Sequence, residues 1–327
     1  MQSKARAAGG LPVRAPKLTG FDWRGYIVYL FFTAVLIFFA ATIGDKGFLS
    51  VPNLFNIARN TAMIAVIAVA MTFVISAGEL DLSVGSTAAL SALVAALVMQ
   101  AGFGMVAGVA AALGAGLLVG LVNGLFVTGL AIPSFLVTLG MMQFVRGLDM
   151  RLTYTNPVPV ADNTFNGIFG KGYLFGVPSL LIWSVVAVAL GHVVLRYTPF
   201  GRQVLATGGN RVAAAYSGIR VNRTKLYCFL LSGAAAALAG LLFTGMMSTA
   251  RYNYGTGIEL AAIAAVILGG TSLFGGRGTI IGTFVGALLI GTINNGLIIM
   301  GLDVSEQNMV AGAIIILAVA FGKRPAR

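Results

Sequence analysis

Ten separate apolar stretches punctuate this chain, and almost nothing inside them is charged. They fall at 26–43, 57–77, 83–100, 103–128, 133–147, 179–196, 225–247, 258–270, 279–299 and 305–321. A bilayer core about 30 Å thick is crossed by about 20 helical residues rising about 1.5 Å each. Charged residues are 9% of the chain, where a soluble domain carries about 25%. A chain of 327 residues with so few charges cannot cover a water-facing surface, which excludes an ordinary cytosolic enzyme, a disordered chain and a disulfide scaffold. The expected fold is all-α: a polytopic helical membrane protein of about ten transmembrane helices. One transmembrane domain would span 26–321, between a cytoplasmic N-terminal tail 1–25 and a cytoplasmic C-terminal tail 322–327. The fifth and eighth runs are short, and the third and fourth are separated only by Ala101 and Gly102.

The basic residues orient these spans. With the N-terminus inside, fifteen of the 21 Lys and Arg fall on the inner side and six on the outer. That bias supports cytoplasmic N- and C-termini and an even number of spans. The same bias accounts for the net charge of +12, and no basic stretch interleaves with aromatics, so a nucleic-acid partner is not expected. The run from Tyr26 to Ile43 is too long for the core of a secretory leader and is read as a retained first span. One cysteine, Cys228, and one histidine, His192, exclude an internal disulfide and a Cys/His metal cluster. Cys228 reads as packing and His192 as an interfacial side chain. No Ser/His/Asp set or metalloprotease motif supports catalysis.

The most informative stretch is Ser76-Ala-Gly-Glu-Leu-Asp-Leu-Ser-Val-Gly85, which puts Glu79 and Asp81 between two apolar runs. Carboxylates at membrane depth are costly and face a cavity or a partner. Two readings stand here: a broken-helix element beside a polar path, or a plain inner hairpin in which the Ser83 side chain caps the next helix. Glu259 opens the short eighth run, where it suits a helix N-terminus or meets polar cargo. Amides and hydroxyls inside spans (Asn123, Thr138, Gln143, Asn294, Asn295) either glue helices together or line a path. The glycine-rich segment 268–279 lacks the GK[ST] ending of a phosphate loop and reads as a tight turn. Gly278, Gly282 and Gly286 then form a bare stripe for close helix approach.

Two loops are long. The outer loop 148–178 carries Asn156-Pro157, Pro159 and Pro178, with Asp149 and Asp162. The inner loop 197–224 and its flanks hold six basic residues and no acid. Within it Gly208 and Gly209 are expected to break the chain, Asn210 to N-cap a short helix over Ala213–Ala215, and Gly218 to end it. A short exposed helix is marginal alone, so it docks on a partner or rests on anionic membrane lipid. A faint repeat also runs through the sequence. LLVGLVNGLFVTGL at 117–130 matches LLIGTINNGLIIMGL at 288–302 with one inserted Asn, which makes spans 2–5 and 7–10 candidate inverted copies.

At these residues the chain resembles the membrane permease subunit of ribose-type sugar importers of the ATP-binding-cassette class. The stretches that carry the likeness are GELDLSVGS at 78–86, IPSFLVTLG at 132–140, ATGGNRVAAAYSGI at 206–219, LGGTSLFGGRGTIIGT at 268–283 and NNGL at 294–297. The likeness runs over nearly the whole chain, from about residue 50 to 321. The first motif departs from its usual form in having Glu79 followed by Leu80 and Asp81.

The resemblance implies a permease working as a pair, homodimeric or with a close paralogue, in a bacterial inner membrane. A cytoplasmic ATPase would use ATP and Mg, and this chain would bind no cofactor itself. A periplasmic sugar-binding protein would deliver cargo to the outer loops, which implies a Gram-negative source. The loop around Gly208, Gly209, Asn210, Arg211, Ala214, Ser217 and Gly218 would be the helix that couples to the ATPase. Glu79, Asp81, Ser83, Asn123, Glu259, Asn294 and Asn295 are the expected path residues. A stand-alone ion-coupled transporter of a small polar solute fits the repeat and the acidic pair about as well. The exposed docking helix argues for the importer.

Overall fold

The computed structural model describes residues 27–321; the expected tails 1–25 and 322–327, and Tyr26 at the start of the first apolar run, lie outside the described residues. Thirteen α-helices account for most of what is described. Ten of them coincide with the apolar runs: α1 Ile27–Ile43, α2 Val51–Ser76, α3 Val84–Gln100, α4 Gly104–Gly129, α5 Ser134–Thr153, α7 Ser179–Tyr197, α10 Val221–Met247, α11 Ile258–Leu268, α12 Ile280–Met300 and α13 Val304–Phe321. Among the described residues six segments are long and apolar enough to cross a membrane: Val28–Lys46 and the helices α2, α4, α7, α10 and α12. Helices α3 and α11 are shorter apolar helices of 17 and 11 residues.

Local chemistry explains where the helices depart from the apolar runs. Helix α2 starts six residues before its run because Ser50 caps it, its Oγ accepting from the Asn53 amide at 3.4 Å, with Pro52 in the first turn. The fifth run was expected to be short, yet α5 continues to Thr153, so it is a full 20-residue helix. Ala101–Phe103 separate α3 from α4, with Gly102 at φ +89°, and the two helices pack side by side rather than forming one bent rod.

Two stretches of chain share one order of elements. Helix α2 is followed by the non-helical segment 77–83, then by α3, α4 and α5. Helix α10 is followed by the non-helical segment 248–257, then by α11, α12 and α13. Their packing corresponds as well. Helix α4 lies on α3 and α10, while α12 lies on α11 and α2; α5 covers α3 and α4, while α13 covers α11 and α12. The long helices α2 and α10 also pack on each other, with α7 against α2 and α1 against α12. Apolar side chains gain little from meeting in lipid, so these contacts rely on close backbone approach. Gly116 and Gly120 of α4 sit on the α10 backbone at Gly233 and Phe229, where a Cβ would collide. Of the expected stripe on α12, Gly282 and Gly286 face Gly269 and Ala265 beside α11; Gly278 precedes the helix and packs on Ser76 instead.

The connecting segments collect at two ends. At one end lie 77–83, the α4–α5 turn, α8 Pro199–Gly209, α9 Arg211–Tyr216 and the turn 269–279. At the other, the loop after α5 contains β1 Val158–Pro159, α6 Asn163–Asn166, a single π-turn Gly167–Lys171, and the hairpin β2 Tyr173–Leu174 with β3 Val177–Pro178. Strand β1 pairs antiparallel with β4 Thr249–Ala250, Val158 opposite Ala250. Arg59 at this end hydrogen-bonds the Tyr173 hydroxyl.

Candidate functional site

Helix α2 stops because Gly78 takes φ +82°. The Glu79 amide returns to Val74 O at 3.0 Å and the Gly78 amide to Ile75 O at 2.9 Å, the pattern of a Schellman stop. The next residues run without helical bonds, so their polar groups need other partners. The Leu80 amide donates to Ser134 Oγ at 3.1 Å, and Thr138 Oγ1 reaches Leu80 O at 3.3 Å.

Asp81, only 2% exposed, is held by three hydrogen bonds from two residues. Its Oδ1 accepts from the Ser83 amide at 2.9 Å and from Ser83 Oγ at 2.6 Å; its Oδ2 accepts from Ser232 Oγ of α10 at 2.7 Å. Asn123 of α4, fully buried, donates through Nδ2 to Ser83 Oγ at 2.8 Å. A buried carboxylate must be satisfied by donors, and here Ser83 and Ser232 supply three of them, with Asn123 holding Ser83 in place. The expected cap does not form: Ser83 stands at the N-cap position of α3, but its hydroxyl is turned to Asp81 and makes no capping bond.

Glu79 leaves this cluster and forms an ion pair with Lys225 in the second turn of α10. The N-termini of α3 and α11 meet head to head. A Cβ on Gly85 would strike Gly255 O and lie 2.5 Å from Glu259 Oε2. Glu259 sits in the first turn of α11, its Oε2 buried without a hydrogen-bond partner among the described residues. Arg146 of α5 braces the adjoining loop, donating from Nη1 to Tyr252 O at 2.6 Å and to Tyr254 O at 3.4 Å. Asn295 lies elsewhere: it exchanges amide bonds of 3.0 Å with Asn53, at the opposite end of α2 from the break. Asn294 is half-buried beside it on α12, Gln143 is exposed, and Cys228 is fully buried. His192 is half-buried with its ring edge to Tyr197.

The 197–224 loop folds into two helices. Helix α8 is capped by Thr198, which accepts from the Gly201 amide at 3.3 Å, with Pro199 in its first turn. The expectation that Gly208 and Gly209 break the chain is not met. They are the last two residues of α8, and the turn comes at Asn210, with φ −156° and ψ 104°. The glycines serve close approach instead. Gly208 lies on Ser76 O and on Gly275–Gly276, and the Gly276 amide donates to Ser76 O at 3.0 Å. Asn210 Oδ1 accepts from the Val212 and Ala213 amides, each at 3.0 Å, and so caps α9. Gly218 at φ +83° ends the turn, and Ser217 Oγ donates to Ala213 O at 3.0 Å. On this helix Ala214 is buried, while Arg211 is exposed, Val212 is 63% exposed and Tyr216 89% exposed. Among the described residues no group of three or more His, Cys, Asp or Glu side chains is placed to hold a metal.

Sequence reasoning missed Ser232, Asn222, Lys225, Asn53 and Gly255. Each is an ordinary residue of a helix or loop, given its place by a partner 40 or more positions away.

Residues 53–319 match the family described as branched-chain amino acid transport system / permease component. The chain is 40% identical over 301 residues to the ribose import permease protein RbsC of Bacillus subtilis, covering 92% of each. It is 43% identical over 291 residues to the ribose import permease protein RbsC of Escherichia coli K12, covering 87% of this chain and 89% of the other. It is 36% identical over 299 residues to the L-arabinose ABC transporter permease protein AraH of Azospirillum brasilense, covering 91% and 87%. No solved structure matches.

Proposed function

Because the chain belongs to the branched-chain amino acid transport system permease-component family, we propose that it is the membrane permease of an ATP-binding-cassette importer whose cargo is a monosaccharide. The observation that carries the cargo class is the 40% identity across 92% of both chains to a ribose import permease. The arabinose permease points to the same chemistry, a small polyhydroxy aldehyde.

In this reading the ten apolar helices lie in a bacterial cytoplasmic membrane, α3 and α11 being too short to cross it alone, with both termini cytoplasmic and the 197–224 loop facing the cytosol. The basic bias toward that side supports the orientation. Spans 2–5 and 7–10 are inverted copies. The shared element order, the corresponding packing, and the N-termini of α3 and α11 pointing at each other support this. Two copies of the permease, or this chain and a paralogue, enclose the path. A cytoplasmic ATPase binding ATP and Mg grips α9, and a solute-binding protein delivers the sugar at the loop after α5. Helix α9 suits that contact because its exposed face offers Arg211, Val212 and Tyr216, while α8 ties it through Gly208 to the end of α2. Movement of α9 then reaches the membrane as a rigid-body shift.

The test is reconstitution of the permease with its ATPase and binding protein in liposomes. Labelled ribose, arabinose and allose are offered in turn. ATP-dependent accumulation of one of them is expected, and omission of the ATPase abolishes it. Concentrative uptake by the permease alone, or no uptake of any monosaccharide by the full assembly, overturns the reading.

A further inference from the structure

Where α9, α10, the 77–83 break and the α4–α5 turn meet, a cavity of about 140 Å³ has five polar residues in its lining: Glu79, Thr128, Arg211, Asn222 and Lys225. Asn222 and Lys225 stand three residues apart at the start of α10, so they share one face of that helix. Asn222 is engaged at both ends of its amide. Its Oδ1 accepts from Arg211 Nη2 at 3.4 Å, and its Nδ2 donates to Thr128 O at 3.1 Å, a carbonyl in the last turn of α4 with no helical donor of its own. One turn deeper, Lys225 pairs with Glu79, the two side chains only 11% and 12% exposed. Two turns beyond that, Ser232 of the same helix holds Asp81 at 2.7 Å. Helix α10 therefore grips the break at Glu79 and again at Asp81, and receives α9 just before the first grip.

The geometry points to Asn222 and Lys225 as positioning residues that carry movement of α9 into the break between α2 and α3, with Glu79 as the carboxylate that changes partners. Arg211 faces the same cavity as the Glu79–Lys225 pair, so two cations stand about a single anion. Stripping a shielded carboxylate of its cation is expensive, whereas exchanging one cation for another nearly balances. When α9 shifts, Arg211 leaves Asn222 and competes with Lys225 for Glu79. The 77–83 segment is thereby released at one of its two anchors on α10 while Asp81 keeps the other. This inference deepens the reading given above and rests on α9 being the helix the ATPase moves.

The experiment uses the complete importer in liposomes and measures sugar moved per ATP hydrolysed. Lys225→Met and Asn222→Ala are expected to lower that ratio about tenfold, within the usual span of coupling between sites, with ATP hydrolysis still stimulated by the binding protein. Lys225→Arg, which keeps the cation, is expected to retain the ratio. An unchanged ratio in Lys225→Met and Asn222→Ala overturns the relay. So does a parallel loss of hydrolysis and transport that Lys225→Arg fails to rescue, because that marks a purely structural role. A wild-type assembly that moves no sugar overturns the functional reading itself, and the relay with it.

Discussion

Gly85 and Gly255 touch backbone to backbone, which sets the first turn of α3 against the loop that leads into α11. Neither position has room for a side chain. Gly85→Ala would drive a methyl into Gly255 O and against the Glu259 carboxylate, and overpacking of this kind costs about 1–3 kcal/mol. The purified variant is expected to melt at lower temperature and to lose uptake. Gly114→Ala is the control: it is helical and nothing lies within 4 Å of its added Cβ, so a small gain of about 0.5–1 kcal/mol is expected.

Ser232→Ala removes the α10 donor to Asp81 and leaves a buried carboxylate oxygen short of a partner. A loss of about 1–3 kcal/mol is expected. Asn123→Ala removes the donor to Ser83 in the same network. Because both act on one cluster, the double variant should fall short of the sum of the single losses, with a coupling of about 0.5–3 kcal/mol. Strict additivity in a denaturation series would contradict a connected network.

The contact between Asn53 and Asn295 is reciprocal, each amide both giving and receiving at 3.0 Å. Truncating either one strands its partner, so Asn53→Ala and Asn295→Ala should each cost about 1–3 kcal/mol. Asn295→Asp should be worse than the isosteric change suggests, since it removes the amide donor and buries an acid. Thermal stability in detergent reads this out, and an unaltered melting temperature for Asn295→Asp would refute it.

Asn210→Ala deletes both capping bonds of α9 at a local cost of about 1 kcal/mol. Hydrogen exchange of the 211–216 amides should accelerate while the melting temperature of the whole chain stays put. Arg211→Glu should abolish uptake with insertion and folding intact. Normal sugar uptake by that variant would remove Arg211 from the coupling contact.

The helices were legible because length and apolarity set them locally. All ten runs are helical, and Asn210 and Gly218 bound α9 as their chemistry implies. What was not legible is relational. Ser83 has the identity and position of a cap, but Asp81, two residues before it, competes for its hydroxyl and wins because burial of a carboxylate is the larger penalty. Gly208 and Gly209 read as breakers because glycine disfavours helices, yet the neighbour they admit, the Ser76 carbonyl, lies 132 positions away from Gly208 in sequence. The expected path residues likewise scatter: Asp81, Ser83 and Asn123 come together, Glu79 joins Lys225, and Asn295 joins Asn53.

The strand pair Val158–Pro159 with Thr249–Ala250 is only two residues long, but it splices the outlying loop to the very segment that brings Gly255 to Gly85. Arg146 adds a brace on the same segment through Tyr252 O. Any load placed on that loop therefore has a main-chain route to the point where two opposed helices abut. The molecule thus has a handle at each extremity, one stiff and made of backbone, the other built from exchangeable charges.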